Sequence, residues 1–97
     1  MEHIKRRLRW KDIEKGLGSV GRIRILREMI ENPDEFLTKY ALERRTGLKP
    51  VDVRNNLKIL VELGWVKEYP YDPRTYTVNM ENEAVKLLAE FFSKVKH

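Results

Sequence analysis

The chain has 97 residues, 41% of them hydrophobic, which fits one domain with one core and excludes a disordered tail. It has no cysteine, no apolar run of the ~18 residues that a membrane span needs, and no secretory signal, so we expect a cytoplasmic protein without disulfide, cofactor or membrane partner. The net charge of +5 favours an anionic partner, and the abundant Lys, Arg and Glu without glutamine are typical of thermophile proteins.

Positive charge is concentrated at the start of the chain. Residues 1–27 hold nine basic and three acidic side chains, a net charge of +6, so the rest of the chain is close to neutral. Such a cluster predicts either a polyanion-binding surface or a solvated charged face. Apolar residues within 2–15 have an imperfect helical spacing, so we interpret residues 1–18 as a basic N-terminal extension that is partly helical.

The segment after this extension predicts a first long helix. Residues 16–21 are rich in glycine but lack the Lys-Ser/Thr pair of a phosphate-binding loop, so we interpret them as a joint, with Ser19 as the cap of the helix. Apolar residues then recur at helical spacing; they are Val20, Ile23, Leu26 and Ile30, and Ile25 and Met29 widen this stripe into a broad buried face. The helix should end before Pro33, and Phe36 and Leu37 predict a very short strand.

Two further helices follow, separated by a tight connection. Thr38 is a suitable cap for a helix from Lys39 to about Thr46, which Gly47 would end. Pro50 suits the first position of the next helix, which should end at Gly64. Its core face is predicted to consist of Val53, Leu57 and Leu60. A short helix, a glycine-containing turn and a longer helix are the pattern of a helix-turn-helix.

The last part of the chain predicts a β-hairpin and a final helix. Residues 65–69 and 75–79 are rich in β-branched and aromatic residues, and 70–74 have turn chemistry. Trp65, like Trp10, is interpreted as a packing residue. Residues 81–97 predict an amphipathic helix with more apolar surface than a small domain covers, so we expect it to dimerise, with folding back onto its own domain as the alternative. The predicted dimer residues are Ala84, Val85, Leu88, Phe91, Phe92 and Val95.

Several of these segments resemble winged helix-turn-helix regulators of the ArsR and MarR type, with an archaeal character. The likeness is carried by GRIRILR at 21–27, LTKYAL at 37–42, TGL at 46–48 and the pattern from Val53 to Asn79, and it covers roughly residues 19–96. It implies a mainly α (α+β) fold, in which residues 19–80 form the winged helix-turn-helix domain with a β-hairpin wing and an amphipathic C-terminal helix follows. It also implies a homodimeric transcription regulator that binds specific sequences of double-stranded DNA.

The resemblance places the third helix, about 50–63, in the DNA major groove and the wing, 65–79, on the backbone or minor groove. With Val53, Leu57 and Leu60 inside, a rotation of ~100° per residue turns the intervening side chains outward. The predicted DNA contacts are Lys49, Val51, Asp52, Arg54, Asn55, Lys58, Lys67 and Arg74. Lys49 and Asp52 depart from the family pattern, in which Ser or Thr usually caps this helix and an acid near its DNA-facing start is not expected. Thiolate-based sensing is not inherited, because cysteine is absent.

Other functions are weighed against this one. Cysteine is absent, the only histidines are His3 and His97 at the termini, and no His/Cys/Asp cluster has the spacing of metal ligands, so we expect neither an enzyme nor a metal site. A winged-helix protein-protein interaction module and an RNA-binding protein remain as alternatives. The outer side of the third helix distinguishes a protein-protein interaction module from a DNA-binding protein, because such a module would tend to carry apolar anchors there.

Overall fold

The computed structural model describes residues 8–95, which form five α-helices and one two-stranded antiparallel sheet. In chain order the elements are α1 (Trp10–Gly16), α2 (Val20–Glu31), α3 (Lys39–Thr46), α4 (Pro50–Leu63), β1 (Val66–Tyr69), β2 (Thr75–Val78) and α5 (Glu83–Ser93). This order confirms the predicted mainly α fold with a hairpin and a C-terminal helix. Much of the predicted N-terminal extension, residues 1–7, lies outside the described residues, and the division of the chain at 18 and 80 stays a prediction.

The helix ends follow the capping chemistry of the sequence. The Thr38 hydroxyl accepts a hydrogen bond from the Ala41 backbone N–H at 3.0 Å at the start of α3. Gly47 and Gly64 follow α3 and α4 with φ of 76° and 79°, the left-handed geometry that glycine adopts without strain. These two glycines therefore fix where the helix-turn-helix segment turns.

The core is built from α2, α3, α4, the hairpin and the first turn of α5. Its fully buried members include Ile25, Leu26, Met29, Leu42, Val53, Leu57, Leu60 and Trp65. The α4 stripe predicted from the sequence is confirmed. The broad buried face predicted for α2 is confirmed for Ile25, Leu26, Met29 and Ile30, but Val20, which is 66% exposed, and Ile23 lie outside the core.

The two tryptophans occupy opposite environments. Trp65 is 2% exposed, as predicted for a packing residue, whereas Trp10 is 79% exposed, so the same prediction for Trp10 is wrong. Trp65 packs against the end of α1, where a Cβ at Gly16 would overlap its six-membered ring. Gly16 is thus the buried last residue of α1 rather than part of a joint, and it allows α1 to pack close to the core.

The hairpin is joined to the rest of the domain at the β2 edge and at its base. Val66 pairs with Val78 and Glu68 with Tyr76. Leu37 forms an isolated β-bridge with Tyr76, with two backbone hydrogen bonds of 2.8 and 2.9 Å, so the very short strand predicted for Phe36 and Leu37 is reduced to this one residue. The Asn79 side-chain amide donates to the Gly64 carbonyl at 2.9 Å and holds the base of the hairpin against the end of α4.

Candidate nucleic-acid interface

The outer side of α4 is an uncovered polar surface. Asp52, Arg54, Asn55 and Lys58 are exposed, and Val51 is 44% exposed. The inner side of the same helix is buried, and α2, α3 and β1 pack against α4. Within residues 8–95 no ion pair involves Arg54 or Lys58. These side chains are therefore available to a ligand that approaches α4 from solvent.

The start of α4 has an unusual cap. Lys49 occupies the N-cap position and is exposed, and its side chain makes no capping hydrogen bond to the part of the chain that the structure describes. Pro50 lacks the N–H that would need a partner there, and Asp52 in the first turn interacts favourably with the positive end of the helix dipole. Asp52 thus has a structural role at the helix start, and the ammonium group of Lys49 extends from the same end.

Asn56 is a polar residue of α4 that faces the protein rather than solvent. Its side-chain oxygen accepts hydrogen bonds from Arg22 Nε at 2.8 Å and from the Ser19 hydroxyl at 3.2 Å. Ser19 also caps α2, and the Arg22 guanidinium donates to the Lys15 carbonyl near the end of α1. This network ties α4 to α1 and α2, and it fixes the rotation of the helix that presents Arg54 and Asn55.

The two predicted DNA contacts on the wing differ in whether they already have a partner within the hairpin. Lys67 is exposed on β1. Arg74 precedes β2, and its Nη1 lies 3.1 Å from the Glu68 carboxylate. The Tyr76 hydroxyl lies 3.4 Å from the same carboxylate oxygen. Arg74 is therefore held by its own hairpin, a partner that the sequence analysis did not identify.

Helix α3 contributes two exposed residues that the sequence analysis missed as contacts. Arg44 Nη1 donates to the Tyr40 hydroxyl at 2.9 Å, and its guanidinium lies 5.7 Å from the centre of the Tyr40 ring. The spacing of four residues, which places both on one side of a helix, was the available signal. The next residue, Arg45, instead pairs with Glu28 and Glu35 at 3.3 and 2.5 Å, and hydrogen bonds to these carboxylates raise its pKa.

The predicted dimer residues of α5 separate into two groups. Ala84 and Val85 are buried in the chain's own core, which removes them from the predicted dimer surface, and Leu88 and Phe92 are partly buried against that core. Phe91 is 62% exposed, and Leu87, which the prediction omitted, is 44% exposed. Val95 was predicted as part of the helix, but it lies two residues after the end of α5 at Ser93 and is 57% exposed. The helix therefore both folds back onto its domain and leaves an apolar strip exposed.

Among residues 8–95, none of the helices combines the length and the apolar character that crossing a bilayer requires.

Comparison with known proteins identifies the architecture. No family model matches the chain, and no curated protein matches it. The chain is similar to the solution NMR structure of a homodimeric winged helix-turn-helix DNA-binding domain from Mycobacterium bovis, described as a possible ArsR-family transcriptional regulator. The TM-score is 0.66 at 21% sequence identity, over 87% of this chain and 74% of that one. With the helix order, the glycine-terminated helices and the hairpin described above, this likeness shows that the chain has the winged helix-turn-helix fold.

Proposed function

We propose that the chain is a transcription regulator that binds specific sequences of double-stranded DNA as a homodimer. The observation that carries the proposal is the exposed polar side of α4, held at a fixed rotation by a buried opposite side and by Asn56. In helix-turn-helix proteins the corresponding helix lies in the major groove and the helix before it crosses the backbone. The similar Mycobacterium bovis domain is itself described as DNA-binding and homodimeric.

Base reading is assigned to the first half of α4. The Arg54 guanidinium can donate two hydrogen bonds to O6 and N7 of guanine, and the Asn55 amide can pair with N6 and N7 of adenine. Val51 can contact a thymine methyl group. Each bidentate pair discriminates by about 1–3 kcal/mol, so these positions would set the preferred sequence.

Phosphate binding is assigned to cations around this helix. Lys49 and Lys58 are exposed near its start and middle, and Lys67 lies on the wing. Tyr40 and Arg44 lie on the exposed side of α3, the helix that would cross the backbone. Contacts of this kind position the protein without reading sequence, and they make the affinity depend on salt.

The dimer is assigned to the exposed strip of α5 and the residues just after the helix. Leu87, Phe91 and Val95 would be covered by a second copy, with the edges of Leu88 and Phe92. Twofold symmetry would place two α4 helices one DNA turn apart, ~34 Å, and would require a pseudo-palindromic site. A regulator of this kind works inside the cell, on DNA.

A protein-protein interaction module receives less support from the same surface. Such a module would tend to carry apolar anchors on the outer side of α4. The exposed positions there are mainly polar or charged, with Val51 and Pro50 as the apolar exceptions. RNA binding is the remaining alternative, and comparing the affinities for DNA and RNA distinguishes it from the proposed function.

The test is selection of a preferred duplex from a random pool by the full chain, followed by titrations at several salt concentrations. We expect Arg54→Ala to cost about 1–3 kcal/mol and to relax the preference at one base pair, because it removes a base contact. Lys58→Ala should weaken all duplexes alike and lower the salt slope by about one. Lys86→Ala on α5 removes the same charge from another surface and serves as the matched control.

Two results would reject the docking proposal. One is a set of equally small effects for Arg54→Ala, Lys58→Ala and Lys86→Ala. The other is tighter binding of an RNA hairpin, whose stem has the same sequence as the selected duplex, than of the DNA duplex itself. That result would favour the RNA-binding alternative.

A further inference from the structure

The wing arginine is paired with a carboxylate from its own hairpin. Glu68 on β1 and Tyr76 on β2 are directly opposite each other in the strand register. The same Glu68 oxygen lies 3.1 Å from Arg74 Nη1 and 3.4 Å from the Tyr76 hydroxyl. One carboxylate thus receives both a cation at the wing tip and a hydroxyl from the core.

The two partners of Glu68 differ in how easily they can leave. Tyr76 is 3% exposed, and burial, with a contribution from the Glu68 charge, raises its pKa, so the phenol stays protonated and can donate to the carboxylate. The Arg74 side chain is 54% exposed, and ion pairs this exposed are weak and screened by salt. Tyr76 is therefore held in the core beside Glu68, while the exposed Arg74 can exchange the carboxylate for another anion.

We propose that Glu68 limits the affinity of the wing for DNA by competing with a backbone phosphate for Arg74. This inference rests on the proposed function and adds a regulating residue to the same site. In the free protein the Glu68 charge neutralises that of Arg74. While Glu68 is charged, Arg74 would stay paired with it on DNA; once that charge is removed, the guanidinium would be available to bind the phosphate. Glu68 thus acts through Arg74, as a positioning residue rather than a DNA contact.

The test is a double-mutant cycle on the full chain with the duplex selected by the wild type. Glu68→Gln keeps an acceptor for Tyr76 but removes the charge. We expect it to tighten binding by about three- to tenfold and to increase the salt slope by about one, because one more cation becomes available to phosphate. Arg74→Ala alone should change the affinity by less than about twofold, and in the double variant the gain should disappear.

Asp72→Asn is the matched control, since it removes a carboxylate from the turn of the same hairpin. Asp72 has no ion pair with Arg74 in the part of the chain that the structure describes. Its effect on affinity should therefore be the same with and without Arg74. Thermal unfolding of all variants checks that the hairpin remains folded, because a structural effect of Glu68→Gln would lower the melting temperature without changing the salt slope.

The outcomes separate this inference from the proposed function. If the wild type binds duplex with the Arg54-dependent base preference but Glu68→Gln gains as much in the Arg74→Ala background, the competition is overturned and the proposed function stands. A large loss for Arg74→Ala alone would also overturn it, because Arg74 would then already reach phosphate in the presence of Glu68. If no duplex binds, both are overturned.

Discussion

The two sides of helix α4 have opposite environments although they alternate along one stretch of sequence. Val53, Leu57 and Leu60 are at most 1% exposed, while Arg54, Asn55 and Lys58 lie in solvent. Neighbouring positions differ by about 100° around the helix, so a change of one residue number moves a side chain from the core to the surface. Stability and the proposed recognition of DNA therefore rest on separate residues of one helix, and we expect each to change without the other.

The largest effect should come from breaking the inner side with Leu57→Ala. The side chain is 1% exposed and packed in the core, so truncation removes its burial and leaves a cavity. We expect the free energy of unfolding to fall by about 2–5 kcal/mol, measured by urea denaturation. Lys58→Ala, one position further on, is the control and should stay within about 0.5 kcal/mol of the wild type. Equal losses at both positions would contradict the division of α4 into two sides.

Helix α5 sharpens the comparison, because its two sides are predicted to serve the fold and a second copy. Val85 is fully buried, so Val85→Ala should lower the free energy of unfolding by about 1–3 kcal/mol through the loss of two methyl groups and the cavity left behind. Phe91 is 62% exposed, and Phe91→Ala should instead raise the dimer dissociation constant about tenfold or more. Urea denaturation and sedimentation equilibrium measure the two effects.

The proposed use of α5 fails if Phe91→Ala leaves the dimer unchanged while Val85→Ala weakens it. The dimer would then form through another surface, and the loss at Val85 would report only a less stable fold.

Local patterns were sufficient for the elements that turned out as predicted. Pro50 and Gly64 bound α4 through backbone chemistry that depends on a single residue, and Val53, Leu57 and Leu60 recur at the helical period. Thr38 and Gly47 determine α3 in the same way. Because each of these signals acts within a few residues, one sequence suffices to find them.

Features that depend on tertiary contacts were not predictable in this way. Val20 and Ile23 fit a helical stripe, but the rest of the core packs on the side of Ile25 and Met29. Trp10 has apolar neighbours in the sequence but is exposed in the structure. The ring that packs against α1, at Gly16, is that of Trp65. The partners of Asn56 and Arg74 depend on how helices and strands meet, which no local pattern contains.

The candidate nucleic-acid interface also combines a feature that local patterns predict with features that depend on tertiary contacts. That the outer side of α4 is exposed could be inferred from the core stripe, because burial of one side implies exposure of the other. The state of each charged side chain could not. Arg22 belongs to the basic N-terminal cluster in the sequence, but in the structure it is committed to Asn56 and to the Lys15 carbonyl.

The smallest expected effect concerns Lys49, the residue at the start of α4. It tests whether a lysine stands there because it binds DNA, at the expense of a stabilising cap. Lys49 is the N-cap of α4 but makes no capping hydrogen bond with residues 8–95, whereas Ser19, Thr38 and Asn82 cap their helices with side-chain oxygens. Lys49→Ser should supply the missing acceptor and raise the free energy of unfolding by about 0.5–1 kcal/mol. It should also weaken DNA binding and lower the salt slope by about one, because one phosphate contact is lost.

Lys49→Ala is the companion variant, because it removes the ammonium group without adding a cap. It should match Lys49→Ser in DNA binding but show no gain in stability. A Lys49→Ser protein that is more stable and binds DNA as tightly as the wild type would mean that the ammonium group does not contact phosphate. Lys49 would then lack a DNA-binding role that explains the missing cap. The proposed DNA-facing surface of α4 would begin only after the first turn of the helix.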